Sequence, residues 1–159
     1  MATPETDPGY DPHAWHGDTV YGMRFHTPDL IAPHENADDW TSAFILDIDH
    51  IVARVRADDA MRFRVAPADL IFRDARDLEM AVDWGDSDGQ IGVHEPAIDR
   101  IERSAVAGGA GRAVSFRWRI VLTRPAGGEI AFRACGFELN LRCPAVLRDA
   151  QRLPVSARG

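Results

Sequence analysis

The feature that most constrains this chain is a period-two alternation of apolar and polar residues, repeated along most of its length. Successive strand side chains point to opposite faces, so the pattern builds half-buried antiparallel strands. It is sharpest at Val114–Leu122. Val114, Phe116, Trp118, Ile120 and Leu122 fall on one face, and Ser115, Arg117 and Arg119 on the other. Gly108-Gly-Ala-Gly111 precedes this run and Thr123-Arg-Pro-Ala-Gly-Gly128 follows it, both turn-forming. The next run, Glu129 to Leu141, changes parity at Cys135-Gly136. An inserted residue at a glycine does this, which predicts a β-bulge there.

Earlier runs alternate in the same way: Tyr21, Met23 and Phe25; Phe44, Leu46 and Ile48; Met61, Phe63 and Val65; Leu78, Met80 and Val82. Ala66-Pro-Ala-Asp69 reads as a turn before Leu70 and Phe72. Ile98–Val106 is a further strand, although its Ile98, Ile101 spacing also fits a short helix over Pro96–Arg103. A second short helix fits Pro144–Arg152. About eight strands with Gly/Pro turns give an all-β fold, an antiparallel β-sandwich or a partly closed barrel. The expected core is Met23, Phe25, Phe44, Leu46, Ile48, Phe63, Leu70, Phe72, Leu78, Phe116, Trp118, Ile120, Phe132 and Leu139. Residues 1–13 and 153–159 are rich in Pro, Gly and polar residues and are expected to be flexible tails. A single domain then spans 14–152, in keeping with the 159-residue length.

All 18 basic residues are Arg, against 25 acidic ones, a formal net charge of -7. Such a chain repels phosphate backbones and anionic membranes, so nucleic acid and membrane are not expected partners. The lack of Lys fits GC-rich coding. No run of eighteen apolar residues exists and no apolar h-region opens the chain, so a cytoplasmic protein is expected. Cys135 and Cys143 then remain reduced thiols.

Several constellations could carry chemistry. In Asp47-Ile-Asp49-His50 the two carboxylates share a strand face roughly 6.5–7 Å apart, while His50 points away. Paired carboxylates can hold a divalent cation or divide acid and base roles; the plainer reading is a solvated strand face. In Trp15-His16-Gly-Asp18 an imidazole can sit beside a carboxylate, either as a site or as a bond fixing the start of the first strand. His13, His26 and His34 complete this histidine-rich region without zinc spacing. Arg62, Arg64, Arg117, Arg119 and Arg133 project from polar strand faces. They form either a patch for acidic partners or cross-strand pairs with carboxylates.

From Trp84, the positions of Asp86, Asp88, Gly89, Ile91 and Glu95 match a calcium loop. Trp84 stands where the first carboxylate is needed, and the flanks read as strand and proline, so no metal or other cofactor is expected. No nucleophile elbow, phosphate loop or HExxH motif occurs, and no catalytic residue is assigned.

Trp15-His-Gly-Asp-Thr-Val-Tyr-Gly-Met-Arg-Phe25 resembles the opening of small, uncharacterised bacterial all-β domains, and Leu70-Ile-Phe-Arg-Asp-Ala-Arg-Asp-Leu78 resembles a strand–turn–strand segment of the same domains. Some of them are linked with toxin-immunity roles. The resemblance implies an all-β fold and assigns no functional residues. The expectation is a β-domain that acts by binding, foremost to a protein partner, with His16, Asp18, Asp47, Asp49, Arg117 and Arg119 as candidate binding residues. A small-molecule or metal-binding barrel, or an enzyme centred on His16, Asp18, Asp47 and Asp49, is the alternative. The free edges of long strands also invite a homodimer.

Overall fold

The computed structural model describes residues 9–27, 42–85, 92–107 and 114–158. Its strands are β1 (Thr19–His26), β2 (Ala43–Ala57), β3 (Ala60–Arg73), β4 (Arg76–Ala81), β5 (Ala97–Val106), β6 (Ser115–Arg124), β7 (Glu129–Ala134), β8 (Gly136–Leu141) and β9 (Val146–Arg148). All pairings are antiparallel, in the order β4-β7-β6-β5-β1-β2-β3-β8, with β9 also on β3, and the sheet does not close. The expected all-β antiparallel class holds. Among the described residues no helix is long and apolar enough to cross a membrane.

This one sheet wraps its own core. β3 and β6 stand four places apart in the strand order, yet the Phe72 and Trp118 ring centroids lie 5.1 Å apart. Phe44 on β2 likewise meets Phe132 on β7 at 5.2 Å. Strand twist, accumulated over many strands, brings distant members of a sheet face to face. Phe44, Leu46, Ile48, Leu70, Phe72, Trp118, Ile120 and Phe132 are buried as their parity requires. Met23, Leu78, Phe116 and Leu139 pack against them from the margin. Phe25 departs from the expectation: it is 60% exposed, stacked on Phe44 near the strand end.

Other corrections have local causes. Neither expected helix forms. Pro96–Arg103 lies mostly in β5, whose ladder with β6 outcompetes one helical turn. Within Pro144–Arg152, β9 pairs with the free edge of β3 at Phe63–Val65. The Ala66–Asp69 turn is also absent, because β3 runs straight through Pro67. The Pro67 carbonyl accepts from Arg142 N–H at 2.9 Å, on the side where β3 has passed β9 and not yet met β8. The missing proline N–H faces that gap, so no ladder bond is lost. The parity switch at Cys135 is a break between β7 and β8, which pair with different neighbours, rather than a bulge within one ladder.

Among the described residues, parts of both terminal stretches pack against the sheet. The Tyr10 hydroxyl donates to Ile101 O at 2.7 Å, and its ring meets Trp118 edge-on at 5.8 Å. At the other end Leu153 and Arg158 are buried. Leu153 joins Ile51 and Val65, with Phe63 alongside, in a second apolar cluster on the outer face of the sheet.

β2 and β3 outrun β1. β1 pairs with β2 only over Ala43–Asp49, while the β2–β3 ladder continues to Ala57 and Ala60. Asp58 and Asp59 close this arm with φ of 50° and 60°. Two consecutive positive φ values match the right-handed twist of a hairpin, and Asp tolerates them better than most residues.

Candidate functional site

Of the first two constellations, Asp18, Asp47, Asp49 and His50 gather on the two faces of β2. Facing inward at one end of the core is His50, whose Nδ1 lies 2.7 Å from Asp18 Oδ2. Ile51 N–H donates to the other oxygen, Asp18 Oδ1, at 2.9 Å. Trp15 covers the imidazole, with ring centroids 5.3 Å apart. Gly17 makes this turn feasible: its φ is +88°, and a Cβ there would stand 3.1 Å from Ile51 Cδ1. Burial raises the Asp18 carboxyl pKa, and the hydrogen bond with His50 pulls it back. A carboxylate that orients an imidazole is the geometry of a general base. Among the described residues, however, His50 has no hydrogen bond to a serine or cysteine.

The expected His16–Asp18 contact does not exist. His16 turns outward to Asp99, with Nδ1 3.2 Å from Asp99 Oδ1, and lines an open cavity of about 370 Å3 with Gly17, Thr19, Thr123, Arg124 and Gln151. Asp18 and His50 do not line it. The imidazole–carboxylate motif legible in Trp15–Asp18 is thus divided between two different partners.

On the outer face, Asp47 and Asp49 do share a side, as their spacing predicts. Asp49 is fully buried. Arg158 donates to both carboxylates, and its guanidinium carbon lies 3.6 Å from the Tyr21 ring centroid. Leu153 N–H donates to Asp49 Oδ2 at 2.7 Å. Asp47 also takes Arg142 Nη2 at 2.7 Å, and Arg24 Nη2 reaches Asp69 Oδ2 at 3.0 Å. Asp47 and Asp69 are register partners, so this is a row of carboxylates across β2 and β3, bridged by arginines. Tyr21 is there because the β1 register shifts between Val20 and Gly22. Simple alternation puts Tyr21 on the face of Met23 and Phe25; the bulge turns it outward.

Arg117 and Arg119 stand on the outer face of β6. Arg119 bridges Glu129 at 2.7 Å and Glu102 at 3.1 Å, which raises its pKa and, chiefly through its hydrogen bond, lowers that of Glu129. Arg133 on neighbouring β7 reaches Asp77 at 3.6 Å. Arg62 and Arg64 do not join them, because β3 is four strands away from β6. The five-arginine patch divides.

A different basic surface appears on the arm. Arg54 and Arg148 flank Phe63 from β2 and β9, and Arg56 stands opposite Met61. Arg62 and Arg64 line the reverse face. Arg62 pairs with Asp149 at 2.7 Å, whereas Arg56, Arg64 and Arg148 make no ion pair among the described residues. Met61, Val146 and Leu147 are exposed between them. Alternation places Arg62 and Arg64 on one face of β3; the strand pairing that gathers Arg54, Arg56 and Arg148 on the other face is not a local property of sequence.

Among the described residues no group of three or more His, Cys, Asp or Glu could hold a metal ion. Asp86, Asp88, Gly89 and Ile91 of the calcium-loop match, the Gly108–Gly111 turn and His34 lie outside the described residues. Both cysteines are free. The chain matches no family model, no curated protein and no solved structure.

Proposed function

We propose that the protein acts by binding an acidic segment of a protein partner through the β2–β3 arm and β9. One observation carries this reading: arginines without ion pairs, interleaved with exposed Met61, Val146 and Leu147, on a ribbon that projects past the rest of the sheet. Arginine beside apolar side chains is the composition of interface centres, and the guanidinium fork pairs with carboxylates two bonds at a time. The net charge of -7 repels any polyanion at long range, so the exposed Met61, Val146 and Leu147, which a phosphate backbone does not match, favour a peptide over a nucleic acid. A ligand inside the sheet has little support, since Trp118, Phe44, Phe72 and Phe132 fill it edge to face.

The test is fluorescence anisotropy with a labelled Glu/Asp-rich peptide carrying Leu and Phe, against a single-stranded RNA of equal charge. The peptide should bind more tightly than the RNA at physiological salt. The variant Arg56→Ala/Arg64→Ala/Arg148→Ala should weaken it at least tenfold, and Arg117→Ala should leave it unchanged. Tighter RNA binding, or equal losses in both variants, overturns the reading.

An enzyme centred on the Asp18–His50 pair is the second reading, favoured by the 2.7 Å contact alone. It requires a substrate-dependent turnover that disappears in His50→Gln.

A further inference from the structure

The segment Leu153–Arg158 is held by two residues that each grip it twice. Asp49 accepts from Leu153 N–H through one oxygen and from the Arg158 guanidinium through the other. The Tyr21 hydroxyl donates to Leu153 O at 3.3 Å, while its ring stacks beneath Arg158. Asp47 adds a second carboxylate to the same guanidinium. Two carboxylates and an aromatic face around one planar cation meet every recognition element of a guanidinium: fork hydrogen bonds at its edge and cation–π contact on its plane. The neighbouring Asp69 Oδ1 is buried without a hydrogen bond; Arg142 Nη1, the guanidinium nitrogen paired with it, stands 3.6 Å away. The row therefore keeps acceptor capacity for a further donor.

The segment that fills this site is lightly built. It contains one 3₁₀ turn, Val155–Ala157, whose residues are exposed, and no side chain caps that turn. Its anchors are its two ends, Leu153 in the outer apolar cluster and Arg158 in the carboxylate pair. An exposed connector between two anchored ends opens locally at low cost compared with global unfolding.

We propose that Tyr21, Asp47 and Asp49 form a guanidinium-binding site that Arg158 occupies as a tethered, displaceable ligand, and that an arginine-bearing peptide takes its place. The preferred peptide has an apolar residue five positions before the arginine, which seats on Ile51 and Val65 where Leu153 now lies. This site rests on acidic residues and is independent of the arginines of the arm.

The first experiment is rescue of Arg158→Ala by millimolar methylguanidinium, read as a thermal melt, with methylammonium at equal ionic strength as control. Methylguanidinium should raise the melting temperature of Arg158→Ala by several degrees. It should leave the wild type and Arg158→Ala/Asp49→Asn unmoved. Equal responses in all three proteins, equal rescue by methylammonium, or no response overturn the proposal. If Arg158→Ala does not fold, the wild type decides. Millimolar acetyl-Leu-Pro-Val-Ser-Ala-Arg-amide should accelerate amide exchange at Leu153 at least fivefold, and the citrulline analogue should not. Unchanged exchange, or equal acceleration by both peptides, shows that Arg158 is a fixed structural pair and nothing more.

Discussion

The outer faces of β2 and β6 carry the same chemistry, carboxylates bridged by arginines, in opposite surroundings. On β2 the pairs lie beneath Leu153–Arg158, with Asp49 fully buried and the Arg158 side chain 9% exposed. On β6 the Arg119 side chain is 47% exposed and its two glutamates are partly exposed. Water screens the second set and competes for its hydrogen bonds; the first set has only its partners. Burial, not the count of ion pairs, decides what each is worth.

The largest effect should come from Arg158→Ala. It removes the guanidinium from buried Asp49 together with one of the two anchors of Leu153–Arg158, so we expect a loss of up to about 3–5 kcal/mol, the usual cost of an orphaned buried charge, reduced to the extent that the segment opens and water reaches the carboxylate. Urea denaturation measures it. The double variant Arg158→Met/Asp49→Leu should recover most of that loss, because an apolar pair of similar volume removes both charges from a dry site. A double variant no better than the single one would show that the pair itself, rather than its desolvation, sets the stability here.

Asp18→Ala comes next. It strands Ile51 N–H and frees the His50 imidazole beneath Trp15, at a cost of about 1–3 kcal/mol for the unsatisfied groups. The same substitution at Asp149, which is 81% exposed just after β9, should be nearly silent. Comparable losses at both sites would erase the distinction between buried and solvated carboxylates.

These sites were unequally legible in the sequence. Strand identity followed from alternation, and the aromatic core followed with it, because parity alone fixes which face of β6 or β7 is buried. The shared side of Asp47 and Asp49 was legible for the same reason. Their partners were not. Arg158 lies in a Pro- and Gly-containing stretch with no periodicity, and no local rule brings it across the sheet to residues more than a hundred positions away. Alternation puts Tyr21 on the wrong face because one bulge reverses parity without any proline or charge to mark it. Pro67 reads as a turn in the sequence because the gap between β8 and β9 that accommodates it exists only after the sheet has formed. His16 and Asp18 looked like one pair, yet Gly17 between them sends their side chains in different directions.

A smaller effect belongs to Tyr10. Burial pushes its phenol up to about 12 from 10.0. The folded state therefore holds the proton more tightly than the unfolded chain. Stability from this group is complete below about pH 10 and falls as pH rises toward 12. Tyr10→Phe loses the bond to Ile101 O, about 1 kcal/mol at neutral pH, but should show a shallower decline between pH 9.5 and 11. Parallel declines in urea midpoint for both proteins would assign the alkaline loss to other groups.

The smallest effect should be that of Arg119→Met, although Arg119 makes as many ion pairs as Arg158. Its charges are hydrated before and after the substitution, and Arg100 still pairs with Glu102 at 2.7 Å. We expect a loss of at most about 1 kcal/mol, reduced further in 0.5 M salt. Its pH signature has a definite sign. Arg119 holds the Glu129 carboxyl below the usual glutamate range, so its contribution is present at neutral pH and disappears as acid protonates Glu129. Wild type and Arg119→Met should therefore converge in stability on acidification. Arg158→Ala should stay below the wild type in high salt, where screening cannot reach a buried carboxylate. If Arg119→Met matched Arg158→Ala in size and in salt response, both faces of the sheet would obey one rule, and the sealed position of Asp49 would have no energetic meaning.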